Sequence, residues 1–286
     1  TIELEGEISC INAAIGSAIT GAKAMIGTSG GGFELMTEAI SMTGVAEVPL
    51  VLFLSQRPGP GSGVATYTSQ GDLNMARYCG HGEFQRVILA PGDPLEAEEL
   101  TSQAFYFAHK YKIPSIILSD KHLGESFYTI GEKAKITNSV KSTVLTRFNS
   151  YEKDASGAAT EDAETIKKNI ERRLKKVKDI AKNSLNFEQY KISGKKNSKN
   201  VILAWGSTKG AILDAIHNLD CSFLQVLYIE PFAEKIKEEI KGKNLILVEN
   251  NSTGQLANLI AEKTGIFIED KNKILRYDGR PFLCDE

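Results

Sequence analysis

Cysteine is sparse and scattered in this chain. Its four cysteines, Cys10, Cys79, Cys221 and Cys284, form no C-x-x-C pair and have no histidine at zinc-clip spacing. Reduced thiols in a cytoplasmic protein are therefore expected, and a metal cluster would have to be held by another chain. Long apolar runs are also missing. The segment "VPLVLFLS" has the length of a strand, far short of the roughly 20 residues that span a bilayer. The opening Thr1-Ile2-Glu3-Leu4-Glu5 has neither the basic n-region nor the apolar h-region of a secretory signal. A soluble protein with no membrane partner is the expectation. Nor is there a surplus of one charge: 34 Lys and Arg against 36 Asp and Glu leave a formal net charge of -2, which gives no global reason to expect nucleic acid. Position 1 is not methionine, which points to an N-terminus that was cut back or renumbered.

What is present reads as two domains, since 286 residues with 42% hydrophobic side chains can fill two cores of ordinary size. In the first part strand-like and helix-like segments alternate: "AKAMIGTS", "VPLVLFLSQ", "RVILAP" and "IPSIILSD" as strands, "GFELMTEAISMTGV", "DLNMARYC" and "DPLEAEELTSQAFYFAHKY" as helices. Near-continuous apolar strands separated by helices predict an α/β fold with a parallel sheet covered on both faces. In "APGDPLEAEEL", Asp93 suits the N-cap, Pro94 the first turn, and Glu96, Glu98 and Glu99 the positive end of the helix dipole.

Residues 131–198 turn polar and basic. "EKDASGAATEDAE" reads as an exposed loop. The helix expected over residues 164–182 sets Ile166, Ile170, Leu174, Val177 and Ile180 at helical spacing opposite eight basic residues. That charged face is either solvated or a docking surface for a partner or an anionic cosubstrate. From "NVILAWGST" onward the alternation resumes, predicting a second, smaller α/β domain over residues 199–286.

Five features carry chemistry. Glu7 follows Glu3 and Glu5 at the expected start of a helix, where the dipole and unpaired amides favour a carboxylate. The helix that follows presents small residues, Ala13, Ala14, Gly16, Ser17, Ala18, Gly21 and Ala22, which permit close approach by a backbone, a subunit or a flat ligand. "GTSGGGFELM" is a strand, a glycine turn and a helix, placing Ser29, Gly30, Gly31 and Phe33 at the carboxyl edge of a sheet, where ligands of open α/β sheets bind. Its spacing is neither G-x-G-x-x-G nor the Walker pattern. "QRPGPGSG" also follows a strand; its prolines stiffen the loop and its glycines permit unusual torsions, so Arg57 can be held facing the crevice for bidentate capture of a carboxylate. A structural ion pair is the alternative for Arg57. "CGHGEF" sets His81 and Glu83 between glycines, as orienting or proton-handling groups. No metal ligand set is expected, and no "GDG…NN" motif for a magnesium diphosphate is present.

Taken together, "EGEISCINAAIGSAITGAKAMIGTSGGGFELMTEAI", "VPLVLFLSQRPGPGSG", "SQGDL", "GHGE", "VILAPGDPLEA", "PSIILSD", "VENNSTGQLANLI" and "RYDGRPF" resemble, in order, the α subunit of 2-oxoacid:ferredoxin oxidoreductases, nearest to the 2-oxoglutarate type. The resemblance implies that residues 1–130 form the pyrimidine-binding domain for thiamine diphosphate, 131–198 a basic helical linker and 199–286 a transketolase C-terminal-like domain used for assembly. It makes Glu7 the carboxylate that hydrogen-bonds the aminopyrimidine ring and favours its imino tautomer, and Arg57 the residue that grips the substrate carboxylate. It further implies oxidative decarboxylation of a 2-oxoacid to an acyl-CoA and carbon dioxide, with electrons passed to ferredoxin. Mg2+, the diphosphate site and a 4Fe-4S cluster would belong to a β subunit, and a γ or N-terminal companion chain is expected.

Two departures stand out. Family members carry a strand–turn–helix with a Tyr-Pro-Ile-Thr-Pro-type motif just before the Glu, and this sequence begins after it, so the first βα unit is expected on a separate or proteolysed chain or on further residues. Gly61 and Tyr67 stand where related sequences often differ, which leaves the substrate open among 2-oxoglutarate, pyruvate and a broader set. A non-catalytic scaffold subunit and a nucleic-acid-binding module built on the basic helix are the competing readings.

Overall fold

The computed structural model describes residues 1–141 and 149–285. In chain order the elements are α1 (Glu7–Ile19), β1 (Met25–Thr28), α2 (Gly30–Ala46), β2 (Leu50–Gln56), α3 (Leu73–Tyr78), β3 (Val87–Leu89), α4 (Pro94–Tyr111), β4 (Pro114–Asp120), α5 (Lys121–Glu125) and α6 (Ala163–Ser184). There follow β5 (Tyr190–Gly194), β6 (Asn200–Trp205), α7 (Lys209–Ala215), β7 (Ser222–Val226), β8 (Tyr228–Glu230), α8 (Ile236–Ile240), β9 (Asn244–Glu249), α9 (Gln255–Thr264) and β10 (Lys273–Leu275).

Two five-stranded sheets result, ordered β1-β2-β4-β3-β8 and β10-β9-β6-β7-β5. The alternation of apolar runs and helices does produce parallel pairing, with Met25 opposite Val51 and Leu50 opposite Pro114 in the first sheet. Every residue of β4 is buried, as a strand covered on both faces requires. Helix α4 starts as its sequence dictates: Pro94 occupies the first turn and the Asp93 carboxylate accepts from the Glu96 amide at 2.8 Å.

The edges differ from a purely parallel arrangement. β5 pairs antiparallel with β7, and β8 antiparallel with β3. Only Leu227 separates β7 from β8, far too short a link for a crossover, so the chain steps directly from the second sheet onto the edge of the first. The two units are therefore interleaved in sequence: Tyr190–Gly194, within the expected linker, belongs to the second sheet, and Tyr228–Glu230 to the first. One apolar cluster runs through both, including Phe33, Leu52 and Ile116 from one unit and Trp205, Leu224 and Leu256 from the other.

Helix α6 covers the expected basic segment, but its apolar seam is only partly used. Ile180 is buried, whereas Ile170, Leu174 and Val177 are exposed. Ion pairs hold the helix instead: Arg172 and Lys176 both bind Glu47 at the end of α2, and Arg173 binds Glu152. Three of the eight basic residues thus face acidic partners outside the helix, and Lys167 and Lys168 pair within it with Glu171 and Glu164, each at 3.9 Å.

Candidate functional site

The carboxyl ends of β1 and β2 open onto one crevice. Beyond β1, Ser29 caps α2 in an extended conformation without a side-chain hydrogen bond. In the first turn, a Cβ on Gly32 would lie 2.1 Å from Thr28 Oγ1 and 2.7 Å from Glu7 Oε1. Only a glycine there lets α1 bring Glu7, its first residue, against the start of α2. Glu7 is half-buried in this contact.

Beyond β2 the proline-glycine loop folds back on itself. Gly63 has φ +45°, and a Cβ there would meet the Pro58 carbonyl oxygen at 1.8 Å, the same oxygen that accepts from the Val64 amide at 3.1 Å. The C-terminal segment backs this loop: Thr68 N donates to Gly279 O at 3.1 Å, and the Arg280 guanidinium lies 3.6 Å above the Tyr67 ring. Thr68 in turn donates to buried Asp120 at the end of β4.

The next stretch is clamped by the second unit. Buried Gln70 donates from Nε2 to Trp205 O at 2.7 Å and accepts from the Asn250 amide at 2.9 Å, while Asn251 Nδ2 donates to Gln70 O at 2.9 Å. Gln255 Nε2 donates to Gly71 O at 2.6 Å and its Oε1 accepts from the Asn74 amide at 2.9 Å. The segment "VENNSTGQ" therefore fixes the backbone of "SQGDL".

These pieces enclose a cavity of about 540 Å³ whose lining includes Gly30, Gly31, Arg57, Asp72, Asn251 and Tyr277. Of the expected site residues, Arg57, Gly30 and Gly31 line it, and Ser29 precedes them. Glu7 contacts the same first turn of α2 without lining the cavity. The Phe33 side chain is fully buried in the core and does not line it either. His81 and Glu83 are exposed and line a separate cavity of about 490 Å³ with Ser41, Met42 and Tyr151, where Ser41 Oγ donates to His81 O at 2.7 Å.

Sequence reading missed Asp72, Glu34, Asn251 and Tyr277, all of which line the cavity that Arg57 faces. Burial, and then the nearby Glu34 carboxylate, push the Asp72 carboxyl up to about 6. An Asp just before a helix reads as a cap, so nothing in the sequence marks it as a site residue. Behind the cavity wall, Glu249 is fully buried and accepts from Trp205 Nε1 and the Leu256 amide, each at 2.9 Å; burial pushes it up to about 7. Among the described residues no group of three or more His, Cys, Asp or Glu side chains could hold a metal ion, and no helix is long and apolar enough to cross a membrane. Cys79 and Cys221 are buried free thiols.

Residues 1–191 match the family described as pyruvate flavodoxin/ferredoxin oxidoreductase, thiamine diphosphate-binding. The whole chain is 35% identical to the 2-oxoacid:ferredoxin oxidoreductase subunit alpha of Saccharolobus solfataricus, covering 51% of that protein. It is 27% identical to the 2-oxoglutarate synthase subunit KorA of Methanocaldococcus jannaschii over 87% of this chain and 75% of that one. The chain spans about half the length of the curated relatives it matches first. Among solved structures, a 2-oxoglutarate:ferredoxin oxidoreductase from Magnetococcus marinus, with 2-oxoglutarate, coenzyme A and succinyl-CoA bound, superposes with a TM-score of 0.81 at 24% identity, over 99% of this chain and 55% of that one. A split-gene transketolase superposes at 0.54 with 12% identity, over 99% and 75%. These two likenesses show a shared fold.

Proposed function

The chain belongs to the pyruvate flavodoxin/ferredoxin oxidoreductase thiamine diphosphate-binding family, and from that premise we infer that it is an α-type subunit of a 2-oxoacid:ferredoxin oxidoreductase with 2-oxoglutarate as its favoured substrate. The observation that carries this reading is the convergence of two loops: Arg57 and the first turn of α2, against which Glu7 packs, meet at one cavity.

The residues fit the pyrimidine end of thiamine diphosphate at the start of α2, where the Gly32 position leaves no room for a Cβ and so keeps the Glu7 carboxylate close to the helix start. When bound, thiamine diphosphate supplies the electron sink for decarboxylation of a 2-oxoacid. Glu7 would hold the ring by accepting a hydrogen bond at one ring nitrogen and set where the ring's exchangeable proton resides. Arg57, on a loop stiffened by Pro58 and Pro60 and braced by the Gly279 segment, would orient the substrate carboxylate through paired N–H donors. The second unit keeps that wall in register through Gln70 and Gln255.

We assign the diphosphate, its magnesium ion and a 4Fe-4S cluster to a β-type partner chain, with coenzyme A as acyl acceptor and ferredoxin as electron acceptor. Anaerobic native purification, identification of every co-eluting chain and an assay for coenzyme A-dependent viologen reduction by 2-oxoglutarate test this assignment. A β-type chain, bound thiamine diphosphate and turnover are expected. A complex that binds cofactor yet oxidises no 2-oxoacid would overturn it.

A further inference from the structure

Asp72 occupies the N-cap position of α3, where aspartate ordinarily accepts from the helix's own amides, yet its side chain makes no capping hydrogen bond. It is turned toward the first turn of α2 instead. Its Oδ2 would lie 3.0 Å from a Cβ placed on Gly30, is closed off from solvent, and has no hydrogen-bond partner. The backbone at this point is rigid: the Asp72 amide donates to Gln56 Oε1 at 2.9 Å, and Gln56 is itself fully buried and donates from Nε2 to Ser119 O at 2.9 Å. On the other flank Gln255 holds Gly71 and Asn74. A carboxyl group so firmly placed at a cavity wall, with one oxygen sealed and the capping role declined, is arranged for something other than local structure.

We propose that Asp72 is a ligand-binding residue of this site, and that its protonated carboxyl donates a hydrogen bond to an oxygen of the bound 2-oxoacid. The inference rests on the reading of the cavity as a 2-oxoacid site. In the ionised form the sealed Oδ2 is a bare buried anion, which is costly; in the neutral form Oδ1 is left to meet a ligand. The charged and titratable groups that share the cavity with it are Glu34 on α2, Arg57 on the loop after β2 and Tyr277 on the C-terminal segment; Glu7 packs against the first turn of α2 without lining the cavity, and Arg77, further along α3, is held by Glu262 at 2.7 Å. Glu34 disfavours ionisation and burial does so more strongly, so that the carboxyl loses its proton near pH 6. An anionic substrate is thereby drawn by Arg57 on one side and met by a neutral donor on the other, until rising pH turns that donor into a repelling charge.

The test uses the assembled enzyme in three forms, wild type, Asp72→Asn and Asp72→Ala, each assayed for KM and kcat with 2-oxoglutarate from pH 5 to 8.5. Binding of the non-decarboxylating analogue 2-hydroxyglutarate is followed in parallel by calorimetry, and thermal melting checks each fold. The expected result is a wild-type KM and analogue Kd that rise as pH passes about 6. Asp72→Asn, which keeps a neutral donor, should be flat and about tenfold tighter than wild type at high pH; Asp72→Ala should be weak at every pH by about the same factor, the size of one hydrogen bond. Glu34→Gln should move the wild-type break to lower pH. A wild type that turns over but whose pH profile survives unchanged in Asp72→Asn, or Asn and Ala variants that behave alike, would overturn the role of Asp72. A wild type that binds neither 2-oxoglutarate nor the analogue would overturn the cavity reading beneath it.

Discussion

At the scale of single residues, the site depends on places where one atom too many is excluded. Gly32 admits Glu7 and Thr28, and Gly63 admits the Pro58 carbonyl, only because neither carries a Cβ. The density of proline and glycine around Arg57 made that loop legible as a built feature of the sequence, and the position of a strand before it told which edge of the sheet it would face. Asp72 was not legible, because the residue type that serves as a cap is the same one that serves as an acid, and only the tertiary contact with Gly30 distinguishes the two uses. His81 and Glu83 show the reverse case: the pattern of polar residues between glycines is real, but the chain turns it toward the far side of α2. If Arg57 grips the substrate carboxylate as proposed, replacing it with Gln should raise KM for the 2-oxoacid by about ten- to a hundredfold with a smaller change in kcat. Steady-state kinetics of the assembled enzyme measure it, and an unaltered KM would show that Arg57 does not reach the substrate.

Among the elements, the longest were the most readable. β2 and β4 are continuous apolar runs with one buried solution, and α4 carries its own start signal. β5 and β8 were missed for physical reasons: β5 is a half-buried edge with polar side chains, and β8 is three residues that continue β7 with only Leu227 between them, so that the split is decided by which sheet offers a free edge. Helix α6 is anchored chiefly through Glu47. Burial alone would push the Glu47 carboxyl up, but Arg172 and Lys176 override it and hold it down at about 2. A depressed folded-state value contributes stability that is present above the unfolded value of 4.5 and is lost as pH falls toward about 2. Glu47→Gln should therefore melt at a lower temperature than wild type near neutral pH, and the difference should close across that acid window. Thermal melts as a function of pH measure it; a gap independent of pH would assign the effect to packing.

For the whole molecule, the second unit does more than sit beside the first. It supplies part of the cavity wall through Asn251 and Tyr277, clamps the Gln70 segment, and is tied down by a buried charge cluster. In that cluster Glu96 accepts from Lys209 at 2.6 Å, Lys191 at 2.9 Å, Gln225 Nε2 at 2.7 Å and the Gly92 amide at 2.8 Å, and Lys209 also pairs with Asp93. Lys209→Met removes one cation and leaves a buried carboxylate under-compensated, which should cost about 3 kcal/mol of stability in denaturant unfolding; an unchanged midpoint would mean that the cluster is not what holds the units together. In the proposed function the chemistry turns on Glu7. The most direct measurement is a Glu7→Gln substitution in the assembled enzyme, with bound thiamine diphosphate and 2-oxoacid oxidation measured on the same preparation. Retained cofactor with turnover reduced by at least about a hundredfold is the predicted result, whereas full activity in that variant would contradict a catalytic role for this chain and leave it a scaffold.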